Sequence, residues 1–158
     1  MNGARIVGCG VGEPEIKSGT SHEALAVGDL VVFRTDGQLE LVDGGAGTPA
    51  SGDTISGVAI SAATAAGQTV YFVTGERLRI LMDSDETGDA MAADMVGATF
   101  DVTGTTGAMK VDISTADQAG TTDMAQQLLC LENNPQGYGL GLDSDTSIGL
   151  FEIIKRQA

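Results

Sequence analysis

The stretch Leu30-Val-Val-Phe-Arg-Thr-Asp-Gly-Gln-Leu-Glu-Leu-Val42 reads as two short apolar strands folded around Asp36-Gly37. Asp-Gly between alternating apolar residues is a strong local hairpin signal, because glycine reaches the positive φ that tight turns require. The pattern recurs twice. Thr69–Val73 and Arg77–Met82 flank Thr74-Gly75-Glu76, which predicts a second hairpin. In it Leu78, Ile80 and Met82 point one way and Arg77 and Arg79 the other. Ala98–Val102 and Ala108–Ile113 flank Gly104-Thr-Thr-Gly107, with Met109, Val111 and Ile113 facing in and Lys110 and Asp112 facing out. Further strands are expected at 54–60, 127–133 and 148–154, and loops rich in Gly, Asp, Ser, Thr and Pro at 43–53 and 134–147. Helix is scarce, with one or two turns expected at Asp89–Val96 and at Thr121–Leu129. Many short strands and frequent turns predict an all-β fold, an antiparallel β-sandwich or small β-barrel built from hairpins.

Residues 1–28 differ. They are rich in Gly, hold Pro14 and alternate weakly, and are read as an extended N-terminal arm ahead of a β-rich domain at 29–158. Such an arm adds a strand to a neighbour's sheet edge through main-chain hydrogen bonds. The alternative is a strand folded onto its own domain. On the arm reading, deleting residues 1–20 leaves the domain folded.

Composition narrows the function. With 158 residues there is length for one domain with a core. The 23 glycines argue against a helix bundle, since each costs about 1 kcal/mol relative to Ala in a helix interior. Eight basic residues against 22 acids give a net charge of −14, which disfavours a nucleic acid or an anionic membrane as partner. The charge is uneven. Between residues 80 and 154 Lys110 is the only base, whereas Arg5, Lys17, Lys155 and Arg156 lie towards the two ends. One reading is a solvated acidic surface; the other has the ends facing an acidic partner. No run of apolar residues approaches the roughly 20 of a membrane helix, and the first residues lack the layout of a signal peptide. Cys9 and Cys130 are too few for a disulfide framework, so two reduced thiols in a cytoplasmically assembled protein are expected, with a single bridge left open.

Catalytic signals are sparse. His22, in Ser18-Gly-Thr-Ser-His, has Ser21 beside it, but adjacent side chains in an extended segment point to opposite faces, and no G-x-S-x-G elbow occurs. A Cys–His pair would have to draw on Cys9 or Cys130. The runs Gly8-Cys-Gly10-Val-Gly12 and Gly137-Tyr-Gly-Leu-Gly141 miss the dinucleotide spacing and are read as tight turns. Asp83-Ser-Asp85-Glu86 with Asp89, and Asp143-Ser-Asp145, gather carboxylates of the kind hard cations use. Neither completes the calcium-loop pattern, so solvated loops are expected. No cofactor and no enzyme activity are expected.

From Gly28-Asp-Leu-Val-Val-Phe33 through Gly52-Asp-Thr-Ile-Ser-Gly-Val-Ala-Ile-Ser-Ala-Ala-Thr-Ala-Ala-Gly-Gln-Thr-Val-Tyr-Phe-Val-Thr-Gly75, the chain resembles capsid decoration (cement) and head-stabilisation proteins of tailed bacteriophages. The likeness covers about residues 28–82. It implies a virion protein on the outer capsid surface, assembled in the host cytoplasm, that binds the major capsid protein and bridges its subunits, often as a homotrimer. With the charge and arm readings, this makes Arg5, Ile6, Val7, Ile16, Lys17, Lys155 and Arg156 expected capsid contacts, and Tyr71, Leu81 and Phe151 expected self-contacts. The alternatives are a fibre or adhesin module recognising a host receptor or glycan through a loop around Tyr138, and a small hydrolase built on converging carboxylates.

Overall fold

The computed structural model describes residues 3–42, 54–84, 96–112, 127–133 and 148–154. Eleven strands run through them: β1 (Arg5–Cys9), β2 (Glu15–Thr20), β3 (Leu30–Phe33), β4 (Leu39–Leu41), β5 (Gly57–Ala59), β6 (Thr69–Thr74), β7 (Leu78–Asp83), β8 (Thr99–Thr103), β9 (Lys110–Asp112), β10 (Leu128–Asn133) and β11 (Ile148–Ile153). They form two antiparallel sheets. One has six strands in the order β1-β7-β11-β10-β8-β9, the other five in the order β2-β6-β5-β3-β4. The fold is all-β, as the alternation predicts, and the two sheets form a sandwich rather than a closed barrel.

The local hairpins form where turn chemistry and alternation agree. β3 and β4 pair across Asp36-Gly37, with Gly37 at φ 81. β8 and β9 pair with Val102 opposite Val111, and Met109 and Val111 are buried. Strands also occur where expected around 57–59, 128–133 and 148–153. Most of the two expected helices lies outside the described residues, although Leu128 and Leu129, placed at the end of the second, open β10 instead.

The expected second hairpin is a corner. β6 and β7 follow one another in the chain but sit in different sheets, because β6 pairs with β2 and β5 while β7 pairs with β1 and β11. The faces are as expected, with Leu78, Ile80 and Met82 in the core and Arg79 on the opposite side. The first residues cross between sheets beside this corner. β1 runs along β7, β2 runs along β6, and the two crossings are held by Gly10 N–H donating to the Arg77 carbonyl at 2.8 Å. Glycine is needed here for proximity: a Cβ on Gly75 would overlap Cys9 Sγ.

Residues 3–28 therefore lie along the chain's own sheets, as the alternative reading has it, and not as an arm extending from the domain. β1 and β2 are end strands of the two sheets, and after β2 Ser21 bridges Leu39 of β4, so the five-stranded sheet curls. Main-chain pairing with β6 and β7 satisfies one side of each strand within its own chain. Deleting residues 1–20 would remove one strand from each sheet, so that truncation cannot separate binding from folding.

Three apolar clusters result. The largest lies between the sheets and joins Leu30, Val32, Val58 and Val73 to Ile80, Met82, Phe100, Phe151 and Ile153. A second fills the concave face of the five-stranded sheet, where Leu25 and Ala63 cover Val31, Leu39, Val70 and Phe72. The third lies on the outer face of the six-stranded sheet, around Leu81, Ile148 and Leu150. β11 is thus buried on both faces along its whole length.

Candidate functional site

Period-two alternation sends Arg77 and Arg79 to the outer face of β7, and register carries the rest of this site. Glu152 of β11 stands directly opposite Arg79. Its side chain is only 3% exposed, and a buried carboxylate requires compensating partners. Arg77 Nε donates to Oε1 at 2.8 Å and Arg79 Nε to Oε2 at 3.3 Å. Hydrogen bonding to Glu152 raises the Arg77 pKa further above its ordinary value, keeping the guanidinium charged. Both arginine side chains remain partly exposed to solvent. Arg5 is opposite Leu81, which puts it on the same outer face, two positions along β7 from Arg79, and it is exposed. Three of the chain's eight basic residues therefore gather at one end of a sheet, in a molecule of net charge −14.

The second candidate surface is on the five-stranded sheet. Ile16 is opposite Val73 and 68% exposed; Tyr71, two positions along β6, is 51% exposed; Ile60, beside Tyr71 through its N–H bond to the Tyr71 carbonyl, is 38% exposed. Together they make an uncovered apolar strip across β2, β6 and β5, beyond the part of this face that the other sheet covers. β2 ends the sheet with five of its six residues exposed, so one side of its backbone faces outward.

The expected contact residues divide. Arg5, Val7, Ile16 and Lys17 are exposed, and Lys17 Nζ lies 3.7 Å from Glu15. Ile6 points inward and packs on the central core. Lys155 and Arg156 lie outside the described residues. Of the expected self-contacts, Tyr71 is exposed. Leu81 and Phe151 are buried within the subunit, Leu81 beside Leu150 and Phe151 in an edge-on ring contact with Phe100 at 6.2 Å. Neither offers its side chain to a second molecule, because β11 is a central strand and β7 is covered on both faces.

The other candidates have structural surroundings. His22 Nδ1 lies 3.0 Å from Gln38 Oε1. Cys9 and Cys130 form no disulfide, and burial pushes the Cys130 thiol up to about 11. Asp83 is buried in β7, while the remaining acids of both expected clusters and Tyr138 lie outside the described residues. Among the described residues no group of three His, Cys, Asp or Glu is placed to hold a metal ion. Asp29 braces the fold. Its carboxylate accepts the N–H groups of Ala26 at 2.7 Å and Gly107 at 2.8 Å, and burial raises its pKa against these two bonds.

Sequence reasoning missed Glu152 as the partner of Arg77 and Arg79, and Ile60 as part of the apolar strip. Glu152 had a signal, a lone charge inside an apolar run, but its partners lie more than 70 residues away in the chain. No known protein family matches the chain, and no curated protein is similar to it.

Proposed function

We propose that this protein decorates the outer surface of a tailed-bacteriophage capsid, binding the major capsid protein and bridging its subunits. The observation that carries the reading is the gathering of Arg5, Arg77 and Arg79, all with solvent access, at the β1–β7 edge of the six-stranded sheet in a strongly acidic chain. A cluster of guanidinium groups fits acidic side chains on a partner, and Arg pairs with carboxylates through planar, two-point hydrogen bonds. The apolar strip of Ile16, Tyr71 and Ile60 adds area that exclusion of water favours on docking. The resemblance across residues 28–82 supports a shell as the larger partner. Repeated weak contacts suit that task, since copies that touch several subunits gain avidity through effective concentration. The acidic remainder of the surface keeps decorated particles apart.

Shells assembled from the major capsid protein of the same virus test the reading by co-sedimentation with the purified chain. Saturable binding is expected, weakened at least about tenfold by Arg5→Glu and weakened by salt, as exposed charge pairs are. Failure of the wild-type chain to sediment with such shells would overturn the reading. So would binding that Arg5→Glu and salt leave unchanged.

A further inference from the structure

Among the described residues the first part of β2 has a strand neighbour on one side only, β6, and its open edge carries a charge pattern that matches itself. The strand reads Glu15-Ile-Lys17, ends its sheet, and leaves all three side chains exposed. We propose that β2 pairs antiparallel with β2 of a second copy about a two-fold axis through Ile16, joining the two five-stranded sheets into one.

Register decides the case. With Ile16 on the axis, Glu15 stands opposite Lys17 of the second copy and Lys17 opposite its Glu15, giving two symmetric pairs of opposite charge. Directly opposite residues of an antiparallel pair share a face and interact, favourably when their charges differ and unfavourably when they match. A two-fold that keeps each sheet face continuous moves in steps that place one residue of β2 on the axis. One step to either side sets Glu15 against Glu15 or Lys17 against Lys17. The charges therefore select a single register, which a strand edge does not otherwise specify.

Side-chain burial favours the same register. Ile16, the most exposed large apolar side chain among the described residues, meets Ile16 of the second copy on the axis. The strips of Ile16, Tyr71 and Ile60 become one apolar band across the joined sheet. Edge strands in isolated proteins are protected by charge or irregularity, and here the two charges that flank Ile16 are complementary to their own copies rather than repellent. Pairing of this kind is isologous and closes at two subunits, so it produces a dimer and not a fibre. It requires no shell and stands apart from the decoration reading.

Sedimentation velocity of the full chain over a concentration series tests the pairing. Wild type should be a dimer at high concentration. Lys17→Glu and Glu15→Lys each place like charges opposite one another twice, and each should weaken the dimer about tenfold. An equimolar mixture of the two variants should recover a heterodimer, seen by native mass spectrometry. In that mixture one chain carries an acid at both positions and the other a base at both, so every facing pair is of opposite charge. The double exchange Glu15→Lys with Lys17→Glu should restore the homodimer. Far-UV circular dichroism checks that each variant keeps its strands. A wild-type monomer at every concentration, a trimer indifferent to these changes, or a mixture no stronger than its components would overturn the proposal.

Discussion

Gly57→Ala should destabilise the domain although alanine suits a strand better than glycine. Gly57 opens β5, the short strand that joins β3 to β6. A Cβ built there falls well inside contact distance of the Val73 carbonyl oxygen, 2.8 Å from Phe72 Cδ2 and 3.0 Å from the Val73 carbonyl carbon. Two of these neighbours are main-chain atoms of the adjacent strand, so no rotamer change relieves the crowding and β5 and β6 must separate. Removing glycine entropy from the unfolded chain would add about 0.4–1 kcal/mol to stability. Overpacking costs about 1–3 kcal/mol, and displaced β5–β6 hydrogen bonds add to it. The net expectation is a loss of about 2 kcal/mol, or roughly 4–8 °C in Tm for a domain of this size. Gly8→Ala in β1 is the control, because nothing lies within 4 Å of a Cβ there, and it should stay within about 0.5 kcal/mol of wild type. The chain has no Trp, so urea titration followed by circular dichroism is the assay. Equal stability of the two variants would refute the close approach of β5 to β6.

Phe151→Ala should cost about 3–5 kcal/mol of folding stability, since its ring is fully buried against Phe100; an unchanged melting curve would return Phe151 to the surface. Cys130 should resist iodoacetamide in the native state and react on unfolding, with the half-buried Cys9 labelling first; mass spectrometry of the labelled peptides reads the order. Its pKa of about 11 is raised from 9.0, so below pH 9 the thiol is neutral in both states and costs nothing. Between pH 9 and 11 the unfolded thiol ionises while the folded one does not. Stability is therefore lost as pH rises through that window, and Cys130→Ala should flatten the loss in alkaline urea titrations.

What was legible in the sequence was local. Asp36-Gly37 and Gly104–Gly107 lie between segments that pair with each other, so turn chemistry and alternation are enough. Thr74-Gly75-Glu76 looks the same, but alternation assigns a strand its faces and not its neighbours. Those neighbours come from β1, β2 and β11, distant in the chain, and the short link became a corner. The sequence of β1 and β2 reads as an arm for a related reason. They are end strands with most side chains exposed, so little in them alternates. The proposed docking residues show the same division. Exposure of Arg5, Ile16 and Tyr71 was readable, while their association with Arg79, Glu152 and Ile60 depends on register. Leu81 resembles a surface residue until Leu150 of β11 is set opposite it.

Hydrogen–deuterium exchange on the chain, free and bound to shells of the proposed major-capsid-protein partner, tests most directly whether the N-terminal strands and the face beside them are the docking surface. Added protection at residues 5–9, 15–20 and 71–79, with the Asp36–Gly37 turn unchanged, is the expected result. Protection confined to that turn, with β1, β2 and the corner exchanging as in the free protein, would contradict it.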